Sequence, residues 1–242
     1  MIKSKKRILF FSFNYYPDQS AGAKRAYELA KSILKFDENI ELKIITSKPK
    51  RFSKKHNEKY NKFHEKVEIG KNKSFTILRL WIPKYSTHPI SQTYSYLFYF
   101  FQSIIYTLFF KPNIVISTSA KLLTAFAASL SAKLVNAKLF IDIRDTFVDN
   151  YFYFYRYKKK IIIHPLLLML ENIVFKWSNK INFVSLGFKN TYFGLDKFVN
   201  EECDKITYFT QGISNRRVKE IKSLDYLETK NKNKNKTILY AG

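Results

Sequence analysis

Residues 14–25 read NYYPDQSAGAKR, and the reading of this segment decides the fold. An apolar run, RILFFSF (7–13), precedes it. AYELAKSILKF (26–36) follows, with Ala26, Leu29, Ala30, Ile33 and Leu34 on one helical face. The spacing predicts a helix over 22–35. A buried strand, a turn and an amphipathic helix together open an α/β unit. The turn holds a Pro, a Gly and two cations, and it has two readings. It is a plain connection, or it is a loop shaped so that a charged ligand approaches the backbone at Gly22.

The same alternation continues along the chain. IELKIIT (40–46), FTILRLW (75–81), NIVIST (113–118), AKLFIDI (137–143), KINFVS (180–185) and KITYFT (205–210) read as short strands. Helical segments are predicted over 91–110, 119–135, 165–178 and 187–198, with Pro165 suited to a first helical position. Strands apolar on both faces and separated by helices predict a doubly wound, mostly parallel, Rossmann-like sheet. Such sheets bind ligands at the carboxyl ends of their strands, where the loops 14–25 and 142–150 both begin. Residues 47–74 carry ten Lys/Arg against three Glu and read as a solvated excursion. A domain is expected over 1–214 and a Lys/Asn-rich linker over 215–236. TILYAG (237–242) is expected to be the first strand of a C-terminal domain.

Charge and composition narrow the function. The 242 residues are 46% hydrophobic, which favours a folded chain. The net charge of +24 favours anionic partners, unless it reflects a genome rich in Lys and Asn codons, as NKNKNK (231–236) suggests. Cys203 is the only cysteine, so a disulfide framework and a thiolate zinc site are excluded and a reducing compartment is the simplest inference. The start of the chain reads as a first strand rather than a signal peptide. The chain has six glycines and lacks the spaced three-glycine dinucleotide fingerprint after its first strand. The four histidines are scattered, and no metal-ligand spacing occurs.

Three stretches carry candidate chemistry. Gly22, Ala23, Lys24 and Arg25 stand where a helix N-terminus favours a phosphate or carboxylate. The alternative is a first helical turn with solvent-facing cations. In FIDIRD (140–145), Asp145 lies just past a strand end, where a carboxylate can accept from a sugar hydroxyl or act as a base. Asp142 and Arg144 share a side at the two-residue period and could form a structural pair. YFYFYRYKKK (151–160) interleaves rings and cations. Tyr151, Phe152, Tyr153, Phe154, Tyr155, Arg156, Lys158, Lys159 and Lys160 suit a membrane interface, core packing or single-stranded nucleic acid. SQTYSYLFYFFQSIIYTLFF (91–110) is uncharged for twenty residues and reads as a buried or cleft-edge helix, an interfacial helix or a span.

Taken in order, these segments resemble the N-terminal domain of family 4 glycosyltransferases of the GT-B fold, the O-antigen and capsular polysaccharide type. The resemblance runs through ILFFSFNYYPDQSAGAKRAYELAKSIL, KPNIVIST (111–118), FIDIRD, LENIVFKWSNKINFVS (170–185), YFTQGIS (208–214) and TILYAG. Two places depart from it: TFVDN (146–150) follows the Arg-Asp pair where many relatives read LWPE, and TQGISN stands for the usual Asn-Gly pair. The resemblance implies sugar transfer from a nucleotide-sugar donor to a hydroxyl of a polyprenyl-diphosphate-linked acceptor, with no cofactor and no metal. Gly22 and Ala23 would line the crevice, Lys24 and Arg25 would face an acceptor diphosphate, Arg144 would bind substrate, and Asp145 would touch the donor sugar. It further implies a C-terminal or separate donor-domain chain, docking on an anionic membrane at the cytoplasmic face, and no nucleic-acid partner. The competing reading is a non-catalytic anion-binding module for a lipid surface or nucleic acid. A reductase is disfavoured by the missing glycine fingerprint.

Overall fold

The computed structural model describes residues 5–37, 39–49, 63–69, 73–83, 89–119, 121–148, 160–188 and 205–210. The chain divides into two compact units, Met1–Phe209 and Thr210–Gly242. All but one residue of the second lies outside the described residues, as does most of the helix expected over 187–198.

An eight-stranded sheet forms the first unit, in the order β3-β4-β2-β1-β5-β6-β7-β8. The strands are β1 (Lys6–Phe11), β2 (Ile40–Ser47), β3 (His64–Ile69), β4 (Lys73–Leu80), β5 (Ile114–Ser119), β6 (Lys138–Ile143), β7 (Lys180–Phe183) and β8 (Ile206–Tyr208). Only β3 runs antiparallel to its neighbour. Among the described residues the helices are α1 (Ala21–Phe36), α2 (Pro89–Phe110), α3 (Leu122–Leu134) and α4 (Lys160–Trp177).

Alternation along β1 explains why both faces are covered. Ile8 and Phe10 pack with Ala26, Ala30 and Leu34 of α1. Leu9 and Phe11 pack on the opposite side with Tyr96 and Tyr99 of α2, Ala125 and Ala128 of α3 and Val174 of α4. Successive strand side chains point to opposite faces, so a run apolar at every position needs a helix layer on each side. The result is the doubly wound α/β fold expected from the sequence.

Strand order reverses between β1 and β5, because the chain builds outward from β1 to β2 and β4, then returns to build β5 to β8. Carboxyl ends of parallel strands at such a reversal frame a binding crevice. The loop after β1 and the N-terminus of α1 lie on that edge, together with the residues following β6.

Two expectations are corrected. Residues 47–74 are not wholly a solvated excursion, since β3 forms an antiparallel edge pair with β4. Its HEKVEI sequence is mostly charged, yet exposure alternates: Glu65 and Val67 are half-buried while His64, Lys66 and Glu68 are exposed, as in an edge strand with one half-buried face. Pro165 does not open α4 but lies inside it, five residues after Lys160.

Candidate functional site

Three adjacent strands set a row of polar side chains side by side. The registers pair Thr118 of β5 with Asp142 of β6 and Asp142 with Asn182 of β7. The row extends to Thr207 of β8, opposite Asn182. Asp142 is fully buried and accepts from its neighbours on β5 and β7. Thr118 Oγ1 donates to its Oδ2 at 2.7 Å, and Asn182 Nδ2 donates to its Oδ1 at 2.7 Å.

The counter-charge comes from α1. Arg25 Nε donates to Asp142 Oδ2 and Arg25 Nη2 to Oδ1, each at 2.8 Å. This bidentate pair matches the fork of the guanidinium to both carboxylate oxygens. Arg25 also stands over the Phe209 ring, 5.8 Å from its centroid. Asn182 holds that segment through both backbone groups of Phe209, accepting from its N–H at 2.9 Å and donating to its carbonyl at 3.3 Å. One buried network therefore fixes the first turns of α1 to the ends of β5, β6 and β7 and to the segment after β8.

The partner of Asp142 is thus Arg25 rather than Arg144. Arg25 is buried instead of facing the crevice rim. Arg144, one residue past β6, turns its guanidinium onto Gly22, where a Cβ would come within 2.7 Å of its Cζ. Gly22 is needed because a side chain there would displace this cation. The Arg144 Nε is buried and has no hydrogen-bond partner among the described residues. Burial lowers the affinity of Arg144 for its proton, Asp145 and Asp142 raise it, and Arg25 lowers it. An anion near Arg144 would meet a cation only partly compensated by the protein.

Other predicted residues fall around this contact. Ala23 is fully buried, and its N–H donates to Ser20 Oγ at 3.2 Å, so Ser20 caps α1. Lys24 is exposed on the first turn of α1, and Asp145 is half-buried beside Arg144. The positive end of the α1 dipole, Lys24 and Arg144 therefore share the carboxyl edge of the sheet. Residues 151–159 lie outside the described residues, and Lys160 is the first residue of α4. Among the described residues no cluster of His, Cys, Asp or Glu could hold a metal ion. A shallow apolar concavity along α4, lined by Pro165, Leu168, Met169 and Ile173, shares no residue with this set.

A second buried arginine holds the loop after β1. Arg79 Nη2 donates to the Tyr16 carbonyl at 2.9 Å and to Glu65 Oε2 at 2.8 Å. Glu65 comes from β3, so the strand missed in the sequence supplies the carboxylate that balances Arg79. Thr118, Asn182 and Glu65 were also missed as contributors. Asn182 is a lone polar residue between Ile181 and Phe183, but Thr118 stands between two serines and Glu65 among other charged residues, so each becomes specific only once register aligns it.

No protein-family model matches the chain, and no curated protein does. Among solved structures it is similar to a UGT transferase from Siraitia grosvenorii in complex with UDP, at 8% identity and a TM-score of 0.49, over 93% of this chain and 56% of that one. It is similar to a UDP-N-acetylglucosamine 2-epimerase at 14% identity and a TM-score of 0.45, over 85% of this chain and 46% of that one. The chain thus spans about half the length of these two proteins. A third likeness, to the FeoB G-domain from Methanococcus jannaschii, has 10% identity and a TM-score of 0.28, over 95% of this chain and all of that one. At these scores the fold rests on the strand order and pairing of the chain itself.

Proposed function

We propose that this chain is the acceptor-binding half of a GT-B glycosyltransferase, of the family 4 type that builds bacterial surface polysaccharide such as O-antigen or capsule. The reaction moves a sugar from a nucleotide-sugar donor to a hydroxyl of a polyprenyl-diphosphate-linked glycan. Donor binding is assigned to a second domain, in this chain or a separate one. The protein would work from the cytoplasmic face of the plasma membrane.

One observation carries the reading. The N-terminus of α1 meets Arg144 at Gly22, on the strand edge where doubly wound sheets bind ligands. Lys24 and Arg144 are the groups assigned to an acceptor diphosphate. Arg25 is assigned to positioning, because its guanidinium is occupied by Asp142. Asp145 is assigned the contact with a reacting sugar hydroxyl, as hydrogen-bond acceptor or base.

Titration calorimetry with inorganic pyrophosphate and with farnesyl diphosphate tests the assignment. Saturable binding, weakened about tenfold by Lys24→Ala or Arg144→Ala, is expected, which is the loss of one charge-assisted contact. Equal binding by wild type and both variants would remove the diphosphate site. Tight, steeply salt-dependent binding to single-stranded oligonucleotides would favour the anion-binding module instead.

A further inference from the structure

The ladder between β7 and β8 ends at Phe183 and Tyr208. Phe209 is one residue past β8, so its backbone N–H and carbonyl lie outside that ladder and need other partners. Both go to one side chain. Asn182 accepts from the Phe209 N–H at 2.9 Å and donates to the Phe209 carbonyl at 3.3 Å. The same amide donates to Asp142 Oδ1 at 2.7 Å and accepts from Thr207 Oγ1 at 3.4 Å. A side-chain amide offers two N–H groups and two lone pairs, and Asn182 uses all of them. An ionised Asp there would have no donor to give Asp142, and a Leu would have neither donor nor acceptor.

The Phe209 ring closes over the groups that Asn182 holds. Arg25 Cζ stands 5.8 Å from its centroid, and the Phe140 ring lies parallel to it with centroids 6.3 Å apart. The ring is nevertheless 41% exposed. Two hydrogen bonds and a partly open ring can detach without disturbing the aliphatic core, which is the make-up of a segment that opens locally. Seated, the ring covers one side of Arg25. Lifted, it lets water reach the Arg25–Asp142 pair, and water weakens such a pair. That pair is what ties the first turns of α1 to the sheet. Arg25 lies three residues after Gly22, on the turn that opens onto Arg144.

We propose that Phe209 is a latch held by Asn182, and that its seating and the binding of an anion at Gly22 and Arg144 favour one another. The link runs through Arg25. An anion gains most from a turn that is already fixed, since less freedom is then lost on binding. It therefore binds the seated form better than the lifted one, and by linkage it holds Phe209 down by the same factor. Asn182 is a positioning residue in this scheme, acting on the edge through Asp142 and Arg25 without touching the anion. Phe209 is also the last residue of the first unit, with Thr210 the first of the second. Occupancy of the edge is thus felt where the chain leaves the sheet. The inference rests on the diphosphate reading of the Gly22–Arg144 edge and adds to it a residue on β7 that governs affinity from a distance.

Hydrogen exchange of the full chain, read by NMR at the Phe209 amide with and without saturating inorganic pyrophosphate, tests the link. Amides of β1, at the centre of the sheet, report global opening in the same spectra. In the wild type the Phe209 amide should exchange faster than those of β1, and pyrophosphate should slow it about fivefold. Asn182→Leu should abolish that slowing and weaken pyrophosphate in calorimetry by the same factor, about fivefold. Phe209→Ala changes a partly exposed ring and leaves Asn182 in place. It should shift exchange and affinity in the same direction, and it carries the test if Asn182→Leu does not fold. A Phe209 amide that opens only together with β1 would overturn the latch. Pyrophosphate bound equally by the wild type and both variants would overturn the link and leave the diphosphate site standing. A wild type that binds no pyrophosphate would remove the site and the link together.

Discussion

Replacing Asp142 with Ala should be among the most damaging single changes in the chain. The carboxylate is fully buried, and four donor contacts of 2.7–2.8 Å converge on it. Its removal takes the carboxylate of this ion pair away from Arg25, whose side chain is only 4% exposed. Breaking a buried ion pair from one side costs about 3–5 kcal/mol. Thr118 Oγ1 loses its acceptor as well, worth about 1–3 kcal/mol for a buried group, while Asn182 retains the Phe209 carbonyl. These terms overlap, so about 5 kcal/mol is expected. Typical domains have only about 5–15 kcal/mol in total, so the variant should stand near the edge of unfolding. Asp142→Asn should be nearly as damaging, because the amide presents N–H groups where Arg25 or Asn182 also donates. Removing both charges tells a different story. Asp142→Leu with Arg25→Met should recover at least half of the loss, since apolar replacements of buried pairs are often neutral. Urea unfolding followed by circular dichroism, at pH 7, gives all four values. A loss below about 1 kcal/mol in Asp142→Ala, or a double variant no more stable than that single one, would refute the argument that this pair is a buried, mutually dependent charge.

Three further outcomes are expected. Gly22→Ala should change stability by less than about 1 kcal/mol, because the displaced group is the mobile end of Arg144 and Ala favours the helix, but pyrophosphate binding should fall; calorimetry beside thermal melting separates the two. Ser20→Ala removes the cap on the Ala23 N–H and should cost about 1 kcal/mol in the same urea assay. Burial holds the Tyr15 and Tyr99 phenols well above the ordinary tyrosine value, so the folded chain keeps protons that the unfolded chain releases. Their contribution is complete below about pH 10, the unfolded value, and is lost as pH rises beyond it, so urea midpoints should fall on the alkaline side. The Tyr15 hydroxyl has no hydrogen-bond partner among the described residues, so Tyr15→Phe should be neutral at pH 7 and should flatten the alkaline loss.

The fold was legible because its signal is redundant. Each apolar run in β1, β5 and β6 is too short for a helix and too uniform for a one-sided sheet, so a helix layer on both faces follows. β3 was not legible, because HEKVEI is mostly charged and its stability comes from pairing with β4 and from Glu65 meeting Arg79. The site was half legible. A Gly beside cations before a helix, and an Asp just past a strand, are local signals, and Gly22, Arg144 and Asp145 come to the same strand edge. The partner of Asp142 was not legible, since Arg25 lies 117 residues away and the two-residue period points to Arg144. Periodicity reports which face a side chain takes, and only the winding of the sheet decides what waits on that face.

The polar row across β5, β6, β7 and β8 also bears on how the chain finds its alignment. Ile141 and Ile143 face the α2, α3 and α4 side, whereas Asp142 faces α1. A slip of β6 by one residue would thrust the carboxylate into that aliphatic layer, and hydrophobic patterning alone forbids it. A slip by two residues is a subtler error. It keeps every aliphatic side chain on its proper face and moves Asp142 by about 6.6 Å along the strand. Only the loss of Thr118, Asn182 and Arg25 would register the mistake. The row therefore works as a key that gives otherwise interchangeable aliphatic strands a single seating.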